Sequence, residues 1–195
     1  MVLNLYTIRN MLSQGKSLLD LPLRVTYYAR VSTDHEEQLN SLENQVMYFE
    51  NYIKSQTNWI FVPGYVDEGI SGSTVKKRKK FLQMIEDAKS GYFDLIVTKE
   101  VSRFSRNLSD SIKYTQELLT NDVGVYFQSN GINTYDPNSE FILNMMGSVA
   151  QEEVKRLSSR VKWGHKEAIK KGRVLGSSSI TGYKKDDAKL VIIEE

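Results

Sequence analysis

Three short segments hold the polar chemistry of this chain. The first, Tyr28-Ala29-Arg30-Val31-Ser32, closes an apolar run (Leu23, Val25, Tyr27) with an arginine and a serine, then breaks at Thr33-Asp34. Side chains alternate across a strand, so Tyr28, Arg30 and Ser32 share one side. A hydroxyl nucleophile beside a guanidinium at the carboxyl end of a strand suits attack on phosphate. A buried strand whose final serine caps the next helix would use the same residues. The second segment, Asp67-Glu68-Gly69-Ile70-Ser71-Gly72-Ser73-Thr74, runs into Lys76-Lys77-Arg78-Lys79-Lys80. In the third, Ile96-Val97-Thr98-Lys99 leads to Val101-Ser102-Arg103-Phe104-Ser105-Arg106-Asn107, a loop with two arginines three residues apart. Phosphoryl transfer places negative charge on the non-bridging oxygens. Arg30, Arg78, Arg103 and Arg106 are planar, permanently charged forks that match such oxygens.

The elements that must position these residues follow from periodicity. Strand-like runs span Leu23–Tyr28, Trp59–Val66, Phe93–Thr98 and Val123–Gln128. Helix-like runs span Glu36–Ser55, Arg78–Ser90, Leu108–Asn121 and Ser139 to about Lys171. Pro63-Gly64, Gly69, Gly72, Gly91, Gly124, Gly131 and Pro137 punctuate them. This alternation predicts an α/β domain with a mostly parallel central sheet flanked by helices, and a long C-terminal helix. Ligands of such sheets bind beyond the carboxyl ends of the strands. Ser32, Ser71 and Arg103 all follow strands, so three loops converge on one phosphate site.

In the last helix Leu143, Met146, Ala150, Val154, Leu157, Val161, Gly164 and Ala168 recur at spacings of three or four. At roughly 1.5 Å per residue it runs about 50 Å, longer than a domain of ~150 residues can cover. Its apolar stripe therefore meets a second subunit, and Met145-Met146 is read as packing rather than as a cofactor site. Its far end is basic. Lys155 to Arg173 contains eight Lys or Arg and one Glu, a charge of +7, while the net charge is only +2, leaving −5 for the remainder. That asymmetry is the footprint of one element tracking phosphates, and Arg160, Lys162, Lys166, Lys170, Lys171 and Arg173 are the candidate DNA contacts.

Composition bounds the rest. A chain of 195 residues with 40% apolar content supports one domain with a real core. No 18-residue apolar run occurs, and Met1 to Asp20 mixes polar residues with its leucines, so neither a membrane span nor a secretory leader is expected. Cysteine is absent, which leaves no disulfide framework and no Cys-based metal site and makes a reducing cytoplasm the expected location.

Taken in order, the three segments resemble the signature of the serine recombinases, the resolvase, invertase and large phage-integrase or transposon group. The matching positions are Tyr28, Arg30 and Ser32, then Ser71 and Arg78, then Arg103 and Arg106. Gln45, in the run Gln38 to Gln45, also matches a family position beside the active site. The resemblance covers roughly residues 23 to 185. Ser102 stands where the small enzymes usually carry an aspartate, and the Ser71 to Arg78 interval is longer, which points to the large members. Val154 replaces an arginine of the small resolvases and is given no catalytic role.

The resemblance implies that Ser32 attacks the scissile phosphate of a double-stranded recombination site, forming a 5′-phosphoserine and freeing a 3′-hydroxyl. A homodimer would assemble into a tetramer on DNA, with no ATP, cofactor or metal. The chain divides into four regions: an arm or short helix over residues 1–22, a catalytic core over 23–138, a dimerisation and DNA-contacting helix over 139–172, and over 173–195 a linker followed by what the resemblance implies is the cut-off start of a recombinase DNA-binding domain.

Three other readings compete. A Ser-His hydrolase built on Ser32 and His35 lacks a Gly-x-Ser-x-Gly turn, and four arginines suit phosphate better than an ester. A nucleotide-binding protein would need a phosphate loop, and no Gly-x-x-x-x-Gly-Lys-[Ser/Thr] occurs. A catalytically silent DNA-binding and dimerisation module of the same fold sits poorly with an intact Ser32 and all four arginines.

Overall fold

The computed structural model describes residues 3–30, 37–67, 78–105, 108–173, 183–186 and 189–192. In chain order the helices are α1 (Leu5–Ser13), α2 (Glu37–Lys54), α3 (Lys79–Lys89), α4 (Val101–Phe104), α5 (Leu108–Leu119) and α6 (Ser139–Lys170). The strands are β1 (Arg24–Arg30), β2 (Ile60–Phe61), β3 (Tyr65–Asp67), β4 (Leu95–Thr98), β5 (Gly124–Phe127), β6 (Ile132–Asn133), β7 (Tyr183–Asp186) and β8 (Lys189–Ile192).

Alternation along β1 sets the layers. Val25, Tyr27 and Ala29 join Phe49 and Ile53 of α2 in one apolar cluster, where Tyr27 stacks on Phe49 with ring centroids 5.4 Å apart. Thr26, Tyr28 and Arg30 take the other face by the strand's period of two. Phe81, Met84, Ile85 and Ala88 form the buried stripe of α3, and Ser111, Thr115 and Leu118 that of α5. β1 pairs in parallel with β4, and β4 with β5, while β6 closes that side antiparallel. β2 and β3 both pair in parallel with the other edge of β1. The expected α/β fold with a mostly parallel sheet and a long final helix is the one observed.

Several elements depart from the expected bounds. The run Trp59–Val66 is two strands, interrupted at Pro63-Gly64. Proline has no N–H for a ladder, and its carbonyl instead accepts the Thr26 hydroxyl at 2.8 Å. A Cβ at Gly64 would overlap the Tyr27 ring, so only glycine lets the chain pass there. β6 was not expected; Gly131, at φ 63° in the left-handed region, turns the chain back into it. The segment before Leu23 carries the short helix α1 and packs on the core. Asn4 caps α1 by accepting the Thr7 N–H at 2.8 Å, and Leu3, Ile8 and Leu21 are buried in the α2-side cluster.

The chain falls into two units, residues 1–145 and 146–195. The start of α6 belongs to the first, where Ser139 and Leu143 are buried and Glu140 accepts a hydrogen bond from Gln116 at 2.7 Å. Leu143 is therefore a core residue rather than part of an outward stripe. The rest of α6 and the antiparallel β7–β8 hairpin form the second. Among the described residues, no helix is long and apolar enough to cross a membrane.

Candidate active site

The carboxyl ends of β1 and β3 lie side by side, with Arg30 opposite Asp67. Asp67 caps α3: its two carboxylate oxygens accept the N–H groups of Lys80 and Phe81, each at 3.0 Å. One of those oxygens also accepts the Tyr28 hydroxyl proton at 3.0 Å. Arg78, the residue just before α3, donates to the Tyr28 oxygen from Nε (3.1 Å) and Nη2 (2.9 Å), and Nη2 also donates to the Phe104 carbonyl. Its guanidinium lies over the Phe81 ring, 4.0 Å from the centroid. Tyr28 is thus a relay between a buried carboxylate and a buried guanidinium. Burial pushes its phenol well above the ordinary tyrosine range, against the opposing pull of the Arg78 charge. It stays protonated at neutral pH, so it orients its neighbours and is no base.

The third segment, expected as a loop, carries the short helix α4. Four residues cannot satisfy their own terminal groups. The Asn130 side chain accepts the Val101 N–H at 3.1 Å. At the other end Arg30 donates to the carbonyls of Ser102 (3.1 Å) and Arg103 (3.4 Å), next to the Phe104 carbonyl bound by Arg78. Two cations from the first and second segments therefore hold the C-terminus of a helix in the third, where the helix dipole favours positive charge. Among the described candidates, Tyr28, Arg30, Arg78 and Arg103 come together. The Arg103 side chain is 42% exposed and ion-pairs with Glu100 at 3.5 Å.

Ser32, Ser71 and Arg106 lie outside the described residues. Gln45 is half-buried on α2. Arg160, Lys162, Lys166, Lys170, Lys171 and Arg173 are all exposed, on or just beyond α6 in the second unit. No group of three or more His, Asp or Glu among the described residues could hold a metal ion. Sequence reasoning passed over Asp67 and Glu100. The signal for Asp67 was its place at the end of a strand-like run; the partners that give it a role are 39 and 14 residues away.

A family model described as "Resolvase, N terminal domain" matches residues 25–174. Transposon Tn3 resolvase of Escherichia coli is 29% identical over 155 residues, 79% of this chain and 76% of that protein. A Bacillus subtilis relative named as a DNA recombinase is 28% identical over 174 residues, and the chain spans only 34% of its length. The crystal structure of a resolvase family site-specific recombinase from Streptococcus pneumoniae is similar, with a TM-score of 0.55 and 25% identity over 76% of this chain and 99% of that one.

Proposed function

The chain belongs to the resolvase N-terminal-domain family, as a recombinase catalytic domain, and we propose that Ser32 is its nucleophile. The serine oxygen bonds to the scissile phosphorus, the bond to the deoxyribose 3′ oxygen breaks, and a 5′-phosphoserine and a free 3′-hydroxyl result. Reversal onto a new partner strand reseals the DNA. The linkage keeps the energy of the phosphodiester, so neither ATP nor another high-energy cofactor is needed.

The observation that carries this reading is the meeting of three segments at the carboxyl ends of β1, β3 and β4, where Arg30 and Arg78 both grip α4. Arg103 and Arg106 hold the non-bridging oxygens, while Arg30 and Arg78 fix the helix that presents Arg103. Preorganised guanidiniums meet the developing charge, which makes the step independent of metal. Ser71 and Gln45 complete the site by resemblance. The exposed apolar residues of α6, Val154 and Leu157 among them, pair with a second copy, and dimers assemble into a tetramer on duplex recombination sites. Exposed cations from Arg160 to Arg173 contact phosphates, and the DNA substrate places the reaction in the cytoplasm.

Mass spectrometry of trapped protein–DNA complexes tests the assignment. DNA joined to the peptide bearing Ser32, formed also in EDTA, is expected. A linkage on Ser71, Ser102 or a tyrosine overturns it, and strict Mg²⁺ dependence would point to nuclease chemistry instead.

A further inference from the structure

The Ser102 hydroxyl is bound to a carboxylate, that of Glu100. Glu100 is the N-cap residue of α4, with extended backbone. Its carbonyl accepts the N–H groups of Arg103 (3.0 Å) and Phe104 (3.2 Å), which ties it to the helix. Its Oε1 accepts the Ser102 hydroxyl proton at 2.6 Å and stands 3.5 Å from Nε of Arg103. Among the described residues, Glu100 is the anion in ion-pair contact with Arg103. With the carboxylate on the Nε side, the two terminal nitrogens of the guanidinium remain as a fork for phosphate oxygens.

The geometry points to Glu100 as a positioning residue for strand cleavage, acting through Arg103. Its carboxylate holds the guanidinium from the Nε side and fixes the Ser102 hydroxyl, so that the fork of Arg103 faces the scissile phosphate. The same negative charge opposes DNA in the ground state. Its benefit lies in orienting Arg103 toward the oxygens as charge develops on them, so it raises the cleavage rate rather than the affinity. This inference rests on Arg103 as a phosphate ligand.

The test compares Glu100→Ala, Glu100→Gln, Arg103→Ala and the double variant Glu100→Ala/Arg103→Ala. Single-turnover cleavage is read on a plasmid carrying the DNA that flanks the protein's own gene, and affinity on random-sequence duplex. Glu100→Ala should cleave about 10–100-fold more slowly, the scale set by a misplaced catalytic group, with affinity equal or tighter. Glu100→Gln keeps an acceptor for Ser102 and should lie between. On the Arg103→Ala background, Glu100→Ala should cost nothing more. Normal cleavage by Glu100→Ala, or an equal further loss on that background, overturns the inference. Normal cleavage by Arg103→Ala instead overturns the reading beneath it.

A second readout does not depend on cleavage. The Nε–H NMR signal of Arg103 should keep its position when the parent protein binds random-sequence duplex, and move in Glu100→Ala. A shift to the Glu100→Ala position on DNA binding would mean that phosphate displaces Glu100, and the inference fails.

Discussion

At the scale of single residues, the Tyr28 hydroxyl is the joint of the site. It gives its proton to Asp67 and takes two hydrogen bonds from Arg78, with all three side chains buried. Tyr28→Phe keeps the ring and its edge contacts with Phe81 and Phe104 but leaves Arg78 and Asp67 short of a partner. Unmet buried groups cost about 1–3 kcal/mol, more when charged. The variant should therefore lose about 2–3 kcal/mol in urea unfolding, and a loss near zero would show that water replaces the hydroxyl.

Tyrosine burial also sets an alkaline limit. Tyr27 is pushed up to about 12 from 10.0, mainly by burial, and Tyr28, Tyr65 and Tyr135 are raised further by the same cause. Above pH 10.0 the unfolded chain releases phenolic protons that the folded chain keeps, so stability falls as pH rises. Below that value these groups contribute no slope. The denaturant midpoint followed across pH 10.0 checks this, and a flat profile above it would contradict the burial.

At the scale of elements, β1 is pressed on by neighbours that tolerate little change. Gly64 passes over the Tyr27 ring, which Phe49 stacks from α2. Gly64→Ala must displace that ring or the β2–β3 connection. Overpacking of this kind costs about 1–3 kcal/mol, read as a lower thermal midpoint; an unchanged midpoint would show that the connection shifts freely. α4 is the opposite case, a helix of one turn held by side chains from elsewhere: Asn130 at its start, Arg30 and Arg78 at its end. Any substitution of those arginines is expected to disturb the backbone that carries Arg103 as well as the local charge.

At the scale of the whole molecule, α6 runs 32 residues with a basic end. Replacing Lys162, Lys166, Lys170 and Lys171 with Ala should lower DNA affinity with little dependence on sequence. Each lost phosphate contact flattens the log–log salt slope by about 0.9, so two to four of them remove roughly 2–4 units. An unchanged slope would reduce the basic stretch to a solvated face. Val154 and Leu157 are 67% and 60% exposed in the single chain. Val154→Glu with Leu157→Glu should weaken self-association in sedimentation while the unit of residues 1–145 stays folded; unaltered association would move the dimer contact elsewhere.

The sequence by itself determined the layers and the family. Period-two and period-3.6 patterns are local properties, so β1, β4, β5 and the long helices could be read from them. The order of three polar segments named the arginines. Only tertiary structure decided what those arginines touch. Arg78 reaches Tyr28 across 50 residues and Phe104 across 26, and such bonds leave no local pattern. α4 escaped notice because one turn has no periodicity and its stability comes from remote donors. In residues 1–22 a short helix was legible but its packing was not, because Leu3, Ile8 and Leu21 are spaced too irregularly to mark one helical face, and only tertiary structure buries all three beside β1. A glutamate between a strand and an arginine is unremarkable in sequence, and only the fold sets its carboxylate between Ser102 and Arg103.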